Sequence, residues 1–188
     1  MRKLLAFNHV SLDGYFTDAN GGFTWARHNK DDAEFNAFTA ENAKGGGQLL
    51  FGRTTYDLMT RYWPTPMAMQ HDPVVAERMN NLPKVVFSRT LERASWNNTM
   101  LVKGDLASAV RKLKAEPGDG MVIFGSGTII SQLAQEGLID EFQVVLNPIV
   151  LGGGRTMFDR VKKPLDLNLV EKRHFNSGKV FLRYQVAA

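Results

Sequence analysis

Residues 121–136 read Met-Val-Ile-Phe-Gly-Ser-Gly-Thr-Ile-Ile-Ser-Gln-Leu-Ala-Gln-Glu, and this stretch decides the fold. Met121 to Phe124 follow the turn signal Glu116-Pro117-Gly118-Asp119-Gly120 and read as a short buried strand. Gly125-Ser126-Gly127-Thr128 then leads directly into a helix expected over Ile129 to Glu136 and closed by Gly137. A strand that passes straight into a helix is a unit of a parallel sheet, because a parallel neighbour can be reached only by a crossover.

The same unit recurs upstream. Gln48 to Gly52 is an apolar run followed by Arg53-Thr54-Thr55, which opens a helix through about Tyr62, and Lys84 to Ser88 is another buried strand. Residues 3–11 form a first strand that stops at Leu12-Asp13-Gly14. Asp31 or Asp32 caps a helix carrying Ala33, Ala37 and Ala40 on one side, with Phe35 and Phe38 beside them, ending before Gly45-Gly46-Gly47. Trp63-Pro64-Thr65-Pro66 breaks the pattern before a helix over Pro73 to Asn81. A short strand over Thr99 to Val102 and an amphipathic helix over Leu106 to Lys114 follow.

Downstream, Glu141 to Val150 reads as a long strand interrupted by Pro148. Leu167 to Phe175 and Gly178 to Val186 form an antiparallel pair turning at Asn176-Ser177-Gly178. The expected fold is therefore α/β: a mostly parallel central sheet flanked by helices, with a C-terminal antiparallel hairpin at one edge. No repeat or linker interrupts it, so residues 1–188 are expected to form one domain.

Composition removes several classes. A chain of 188 residues with 44% hydrophobic residues can bury a full core, which excludes disorder and small disulfide scaffolds. No run approaches the roughly 18 apolar residues of a membrane helix, and Asn8-His9 cuts the N-terminal apolar run too early for a signal peptide. With no cysteine there is no disulfide, thiolate metal site or cysteine nucleophile, and a cytoplasmic location is expected. The net charge of +4 is spread through the chain, so no nucleic-acid partner is implied.

Chemistry is expected where strands end and helices begin, since helix N-termini there offer N–H groups and partial positive charge to an anion. Three junctions qualify: Gly52-Arg53-Thr54-Thr55, Ser88-Arg89-Thr90 and Gly125-Ser126-Gly127-Thr128. Three anion sites along one edge suit a large, multiply phosphorylated ligand. Gly47 to Thr54 has P-loop spacing with Arg53 in place of lysine, but the apolar run between its glycines is strand-like, so it does not wrap phosphate. Ile130 stands where a dinucleotide fingerprint needs its third glycine. His9, His28, His71 and His174 share no metal-ligand spacing, no metal is expected, and His9 reads as a hydrogen-bonded structural residue. No serine lies in a nucleophile elbow.

Five segments together resemble the dihydrofolate reductase superfamily, in particular its riboflavin-biosynthesis pyrimidine reductase branch. They are Val10-Ser11-Leu12-Asp13-Gly14-Tyr15, Leu50-Phe51-Gly52-Arg53-Thr54-Thr55-Tyr56, Val85-Val86-Phe87-Ser88-Arg89, Val122-Ile123-Phe124-Gly125-Ser126-Gly127 and Asn147-Pro148-Ile149-Val150-Leu151-Gly152-Gly153-Gly154. The resemblance implies a three-layer dihydrofolate-reductase-like fold and NADPH as cofactor. It places Gly52, Arg53, Thr54 and Thr55 on the pyrophosphate and ribose phosphate. Ser88 and Arg89 fall on the adenosine 2′-phosphate, and Gly125, Ser126, Gly127 and Thr128 on the pyrophosphate and nicotinamide side.

By the same resemblance Ser11, Tyr15 and Trp25 cover the nicotinamide and substrate, and Arg155 meets a substrate phosphate. Asp13 and Asp32 are the candidate acids, although the first helix departs from the folate-reductase pattern around its carboxylate. The implied activity is hydride transfer to a small heterocyclic or ribosylamino-pyrimidine substrate. A folate reductase is one alternative, and a non-catalytic dimeric nucleotide-binding protein is another. A homodimer joined near the Glu141 to Val150 strand is also implied.

Overall fold

The computed structural model describes residues 1–27, 32–45 and 47–187. His28, Asp31 and Gly46, named above, lie outside the described residues. Eight strands form one sheet: β1 (Leu4–Ser11), β2 (Gln48–Gly52), β3 (Lys84–Phe87), β4 (Thr99–Val102), β5 (Met121–Phe124), β6 (Glu141–Asn147), β7 (Leu167–His174) and β8 (Val180–Val186). Their order is β4-β3-β2-β5-β1-β6-β8-β7. All pairings from β4 to β6 are parallel, whereas β8 runs antiparallel to both β6 and β7. The parallel sheet with its closing hairpin thus has the expected form. β6 lies inside the sheet between β1 and β8, so the edge on that side is β7 rather than the Glu141 strand.

Six α-helices cover the two faces: α1 (Ala33–Lys44), α2 (Arg53–Tyr62), α3 (Pro66–His71), α4 (Pro73–Asn81), α5 (Leu106–Ala115) and α6 (Gly127–Gln135). Alternation along β1 sends Leu4, Ala6 and Val10 into a core with Val110 and Leu113 of α5 and Ile129, Ile130 and Leu133 of α6. The opposite face carries Leu49 and Phe51 of β2 against Tyr56 of α2 and Met79 of α4. Each fully buried large apolar side chain contributes about 1.5–3 kcal/mol relative to exposure, so both layers hold the sheet.

Two elements differ from the sequence reading. On α1 the exposed residues include Ala33 and Ala37, while Phe35 is buried. Phe35 and Phe38 join Phe175 beyond β7 and Phe181 of β8, with ring centroids 4.7–5.2 Å apart for Phe35–Phe175, Phe38–Phe175 and Phe38–Phe181. Rings bury far more area than alanine methyls and set the helix's rotation. The Trp63-Pro64-Thr65-Pro66 stretch is not a plain break but the start of α3. Thr65 caps it through its hydroxyl to the Ala68 N–H at 3.3 Å, with Pro66 at the first helical position.

Candidate functional site

β2 and β5 are neighbours, and each ends in a helix N-terminus at the same edge of the sheet. Gly52 precedes α2 and Ser126 precedes α6, and no side chain caps either helix. By contrast α1, α3 and α5 are capped by Asp32, Thr65 and Asp105. The Ser126 side chain turns instead to the neighbouring junction: the Gly52 N–H donates to Ser126 Oγ at 2.9 Å, and the Ser126 N–H donates to Thr55 Oγ1 at 3.0 Å.

The two junctions are therefore cross-linked, with both helix dipoles directed at the same edge. Gly125 has φ +56°, and a Cβ there would lie 3.1 Å from Thr55 Cγ2, while a Cβ on Gly127 would lie 2.6 Å from the Phe16 ring. Only glycine fits this close approach. Thr128, partly exposed, sits in the first turn of α6.

Arg53 joins the third junction to these two. Its Nε donates to Asp57 Oδ2 at 2.7 Å and its Nη1 to Thr90 Oγ1 at 3.3 Å, spanning from α2 to the loop after β3. Thr54 is exposed beside it. The Ser88 hydroxyl accepts the N–H groups of Thr90 and Leu91 at 3.3 and 3.0 Å, which shapes the turn and leaves Arg89 exposed at its tip. The edge offers an anion two uncapped helix starts at the ends of neighbouring strands, with the Arg53 guanidinium on the β3 side of the first and the exposed Arg89 guanidinium further out.

The Ser11–Gly14 turn is braced by its own polar side chains. Ser11 is fully buried, its hydroxyl accepting the Tyr15 N–H at 2.9 Å, and the Asp13 carboxylate accepts the N–H groups of Leu151 and Gly152 at 3.1 and 2.8 Å. The Ser11 hydroxyl, followed by the Gly152 and Leu151 amides, holds the Asp13 carboxyl below its ordinary range. Arg155 is exposed, and its backbone pairs with Phe16 and Thr17. A side chain at Gly154 would run into the Thr17 carbonyl, which explains glycine in that loop.

Asp32 is likewise occupied as an acceptor. Its Oδ1 takes the Phe35 N–H at 3.0 Å and its Oδ2 the Ser177 N–H at 2.9 Å. The Ser177 side chain beside it and these amides pull its carboxyl down to about 2. Both expected acids are thus ionised braces at neutral pH, one tying two loops and the other tying α1 to the β7–β8 turn. Each carboxylate already accepts two backbone N–H groups, a bracing role that stands beside the expected one.

A cavity of about 510 Å³ opens on the sheet face under α1, α2 and α4. Phe7 and His9 of β1 and Phe124, the last residue of β5, form part of its floor, and Phe35 and Lys179 close one side. Phe124 immediately precedes Gly125, so the cavity and the cross-linked edge share β5. Trp25 does not line it. The indole is buried and donates to the Gly22 carbonyl at 3.3 Å, while its neighbours Phe23 and Ala26 reach the cavity. Ser11, Tyr15 and Arg155 also lie off the cavity wall, in the adjoining loops.

His9 lines the cavity rather than serving only as a structural residue. Burial pushes its imidazole down to about 4, against an opposing effect of Asn147, with the nearby Lys179 charge adding to the depression. Burial also lowers Lys179, partly offset by Asp32. Sequence reasoning missed Phe7, Phe35, Lys179 and this role of His9. The available signals were the alternate face Leu5-Phe7-His9 of the first strand and a lysine placed directly before the apolar run Val180-Phe181-Leu182. Among the described residues, no cluster of three or more His, Asp or Glu is placed to hold a metal, and no helix is long and apolar enough to cross a membrane.

The sheet order, the closing hairpin and the helix starts at the β2 and β5 ends define a dihydrofolate-reductase-like fold. The chain belongs to the RibD C-terminal domain family, whose sequence model matches residues 2–181. It is 30% identical over 183 residues to YyaP, an uncharacterised protein of Bacillus subtilis (strain 168), covering 97% of this chain and 94% of that one. A provisionally named riboflavin biosynthesis protein from Shewanella sp. PV-4 superimposes with a TM-score of 0.76 at 25% identity, covering 99% of both chains. Dihydrofolate reductase from Enterococcus faecalis, complexed with NADP(H) and RAB-propyl, shares the fold at a TM-score of 0.62 and 15% identity, covering 99% of this chain and 97% of that one.

Proposed function

We propose that this protein is an NADPH-dependent reductase that transfers hydride to a small planar heterocycle, with a ribosylamino-pyrimidine as the first substrate to test. The observation that carries the reading is the cross-linked pair of uncapped helix starts at Gly52 and Ser126, next to an aromatic-walled cavity. An anion and a flat ring placed side by side are the two halves of a bound dinucleotide and its reaction partner. The family membership and the NADP(H) complex of the Enterococcus faecalis neighbour support the same reading.

In this reading Gly52, Arg53, Thr54 and Thr55 hold the pyrophosphate and ribose phosphate. Gly125, Ser126, Gly127 and Thr128 hold the pyrophosphate and nicotinamide side, and Ser88 with Arg89 hold the 2′-phosphate. When bound, the dihydronicotinamide supplies the hydride. The chain's own work is orientation and exclusion of water: Ser11, Tyr15 and the loop to Trp25 cover the reacting rings, and Arg155 meets charge on the substrate's outer end. Asp13 ties the Ser11–Gly14 turn to the Leu151–Gly152 loop, and Asp32 ties α1 to the β7–β8 turn. Two copies pair at the β7 edge, where Leu167, Leu169 and Val170 are exposed, and light scattering tests that arrangement.

The test is calorimetric titration of the purified protein with NADPH and, in parallel, with NADH. Binding with a clear preference for NADPH is expected. Binding of neither overturns the reading.

A further inference from the structure

The cavity floor carries a row of side chains that crosses three strands. Phe7 of β1 is the register partner of both Phe124 of β5 and Gln143 of β6, and all three line the cavity. Strands about 4.8 Å apart put the Gln143 backbone about 10 Å from that of Phe124. A flat ring lying on Phe7 therefore has the strand end before Gly125 on one side and Gln143 on the other. Gln143 belongs to a chain of side-chain hydrogen bonds: its Nε2 donates to Glu141 Oε1 at 2.8 Å, and its Oε1 accepts from Asn42 Nδ2 of α1 at 3.3 Å. Glu141 and Gln143 are buried, while Asn42 is half-buried and lines the cavity.

The carboxylate end of this chain sets the direction of the whole. A carboxylate oxygen accepts, so it takes the NH2 group of Gln143 and leaves the Gln143 carbonyl oxygen to face Asn42. Asn42 must then turn its own NH2 group toward Gln143. That bond uses one of the two Asn42 amide hydrogens. The second N–H and the Asn42 carbonyl oxygen meet no other hydrogen-bond partner among the described residues. A donor and an acceptor are thus left on one oriented side chain at the wall of an aromatic cavity, where a ligand that matches only one of them leaves the other unsatisfied.

We propose that Asn42, held in one orientation by Gln143 and Glu141, selects the cavity's ligand: a flat ring with an N–H beside a ring carbonyl, that is, a lactam edge. This deepens the reductase reading and rests on the cavity being that enzyme's substrate site. The lactam N–H meets the Asn42 oxygen and the lactam carbonyl meets the Asn42 N–H, the two-point pairing by which an amide side chain distinguishes planar rings. Phe7 and Phe124 supply ring faces for the same molecule. Glu141 lies off the cavity wall and acts through Gln143, so it is a positioning residue.

The experiment is calorimetry at neutral pH with three matched probes: isoquinolin-1-one, which has the lactam edge, and its N-methyl and O-methyl forms, which keep the flat ring and lose the donor. The lactam is expected to bind about tenfold or more tightly than either methylated form. Asn42→Ala is expected to bring that ratio to about one by weakening the lactam alone. Glu141→Gln is expected to lower the ratio too, because a glutamine there donates or accepts and no longer fixes Gln143, whereas a purely structural role would weaken all three probes alike. Asn42→Asp, which offers two acceptors, is expected to bind naphthalene-2-carboxamidine about tenfold more tightly than the unaltered protein does.

Equal binding of the three probes, binding of none of them at millimolar concentration, or a ratio that survives in Asn42→Ala overturns the proposal. A ratio that survives in Glu141→Gln overturns the positioning role of Glu141. If Asn42→Ala does not fold, Asn42→Asp decides, and no gain in amidine affinity overturns the proposal. Lactam preference without NADPH binding sinks the reductase reading and keeps this edge. NADPH binding without lactam preference does the reverse.

Discussion

The Ser126 hydroxyl accepts the Gly52 N–H across 2.9 Å, and it does so from a left-handed backbone with φ 58°. Serine is a strong helix N-cap, yet here it leaves α6 uncapped and serves the neighbouring strand end. The left-handed geometry costs about 1–2 kcal/mol for a residue with a Cβ, so the contact must be specified by its surroundings. What the arrangement secures is a fixed distance between the starts of α2 and α6, where the proposed function has two sets of amides meet one ligand.

Replacing Ser126 separates these effects. Ser126→Ala strands the Gly52 N–H and keeps the strained Cβ, for an expected loss of about 1–3 kcal/mol. Ser126→Gly loses the same acceptor but relieves the left-handed cost, so it should be about 1 kcal/mol more stable than the alanine variant. Urea denaturation of the two variants gives the order. An alanine variant as stable as the glycine variant removes the strain argument.

Asp13 is a tether between two loops. Asp13→Ala removes the acceptor of the Leu151 and Gly152 N–H groups, and their hydrogen exchange should accelerate about tenfold or more, as expected for losing bonds to a charged group. Asp13→Asn keeps one acceptor oxygen and should fall between the two. Unchanged exchange at both amides would show that the loop is held by something else.

The strand-and-helix alternation was legible because β2, β3 and β5 are short, largely apolar runs buried on both faces, and such runs stand out against their flanks. The Gly52 and Gly125 junctions were legible for the same reason, since glycine and hydroxyl residues follow each run and a helix opens there, whereas Ser88-Arg89-Thr90, expected to begin a helix, leads through a loop to β4. The cavity was not. Its Phe7, Phe35 and Lys179 come from β1, α1 and the turn before β8, and nothing local to any of them says that they converge. Asp13 and Asp32 read equally as acids or as braces, since a carboxylate beside a glycine or a helix start suits both, and the amides that show the bracing, those of Leu151, Gly152 and Ser177, lie more than 130 residues away.

The state of His9 gives stability a pH dependence of known sign. Its folded value of about 4 lies below the ordinary 6.5, so the unfolded chain binds more protons between these limits. Its contribution is fully present above pH 6.5 and is lost as pH falls from 6.5 toward 4. A shift of this size corresponds to at most about 3 kcal/mol. In His9→Gln that window should flatten, so the unaltered protein's stability advantage over the variant, measured in urea, shrinks as pH falls from 7 to 5. Parallel curves for the two proteins would mean that His9 titrates alike in the folded and unfolded chain.

The two arginines at the cofactor edge should fail in different ways. Arg89 is exposed at the tip of the loop after β3, where only an outlying phosphate reaches it, so Arg89→Ala should weaken NADPH about tenfold and NADH much less. Arg53 lies at the start of α2 and pairs with Asp57 at 2.7 Å. Its loss removes a cation from the pyrophosphate side and also leaves the Asp57 carboxylate unneutralised there, so Arg53→Ala should weaken both nucleotides by similar factors. The contrast between the variants is the readout: the proposed function puts both arginines near phosphate, but only one of those phosphates is absent from NADH. Equal weakening of NADPH and NADH by Arg89→Ala removes the 2′-phosphate assignment and leaves the pyrophosphate assignment of Arg53 intact.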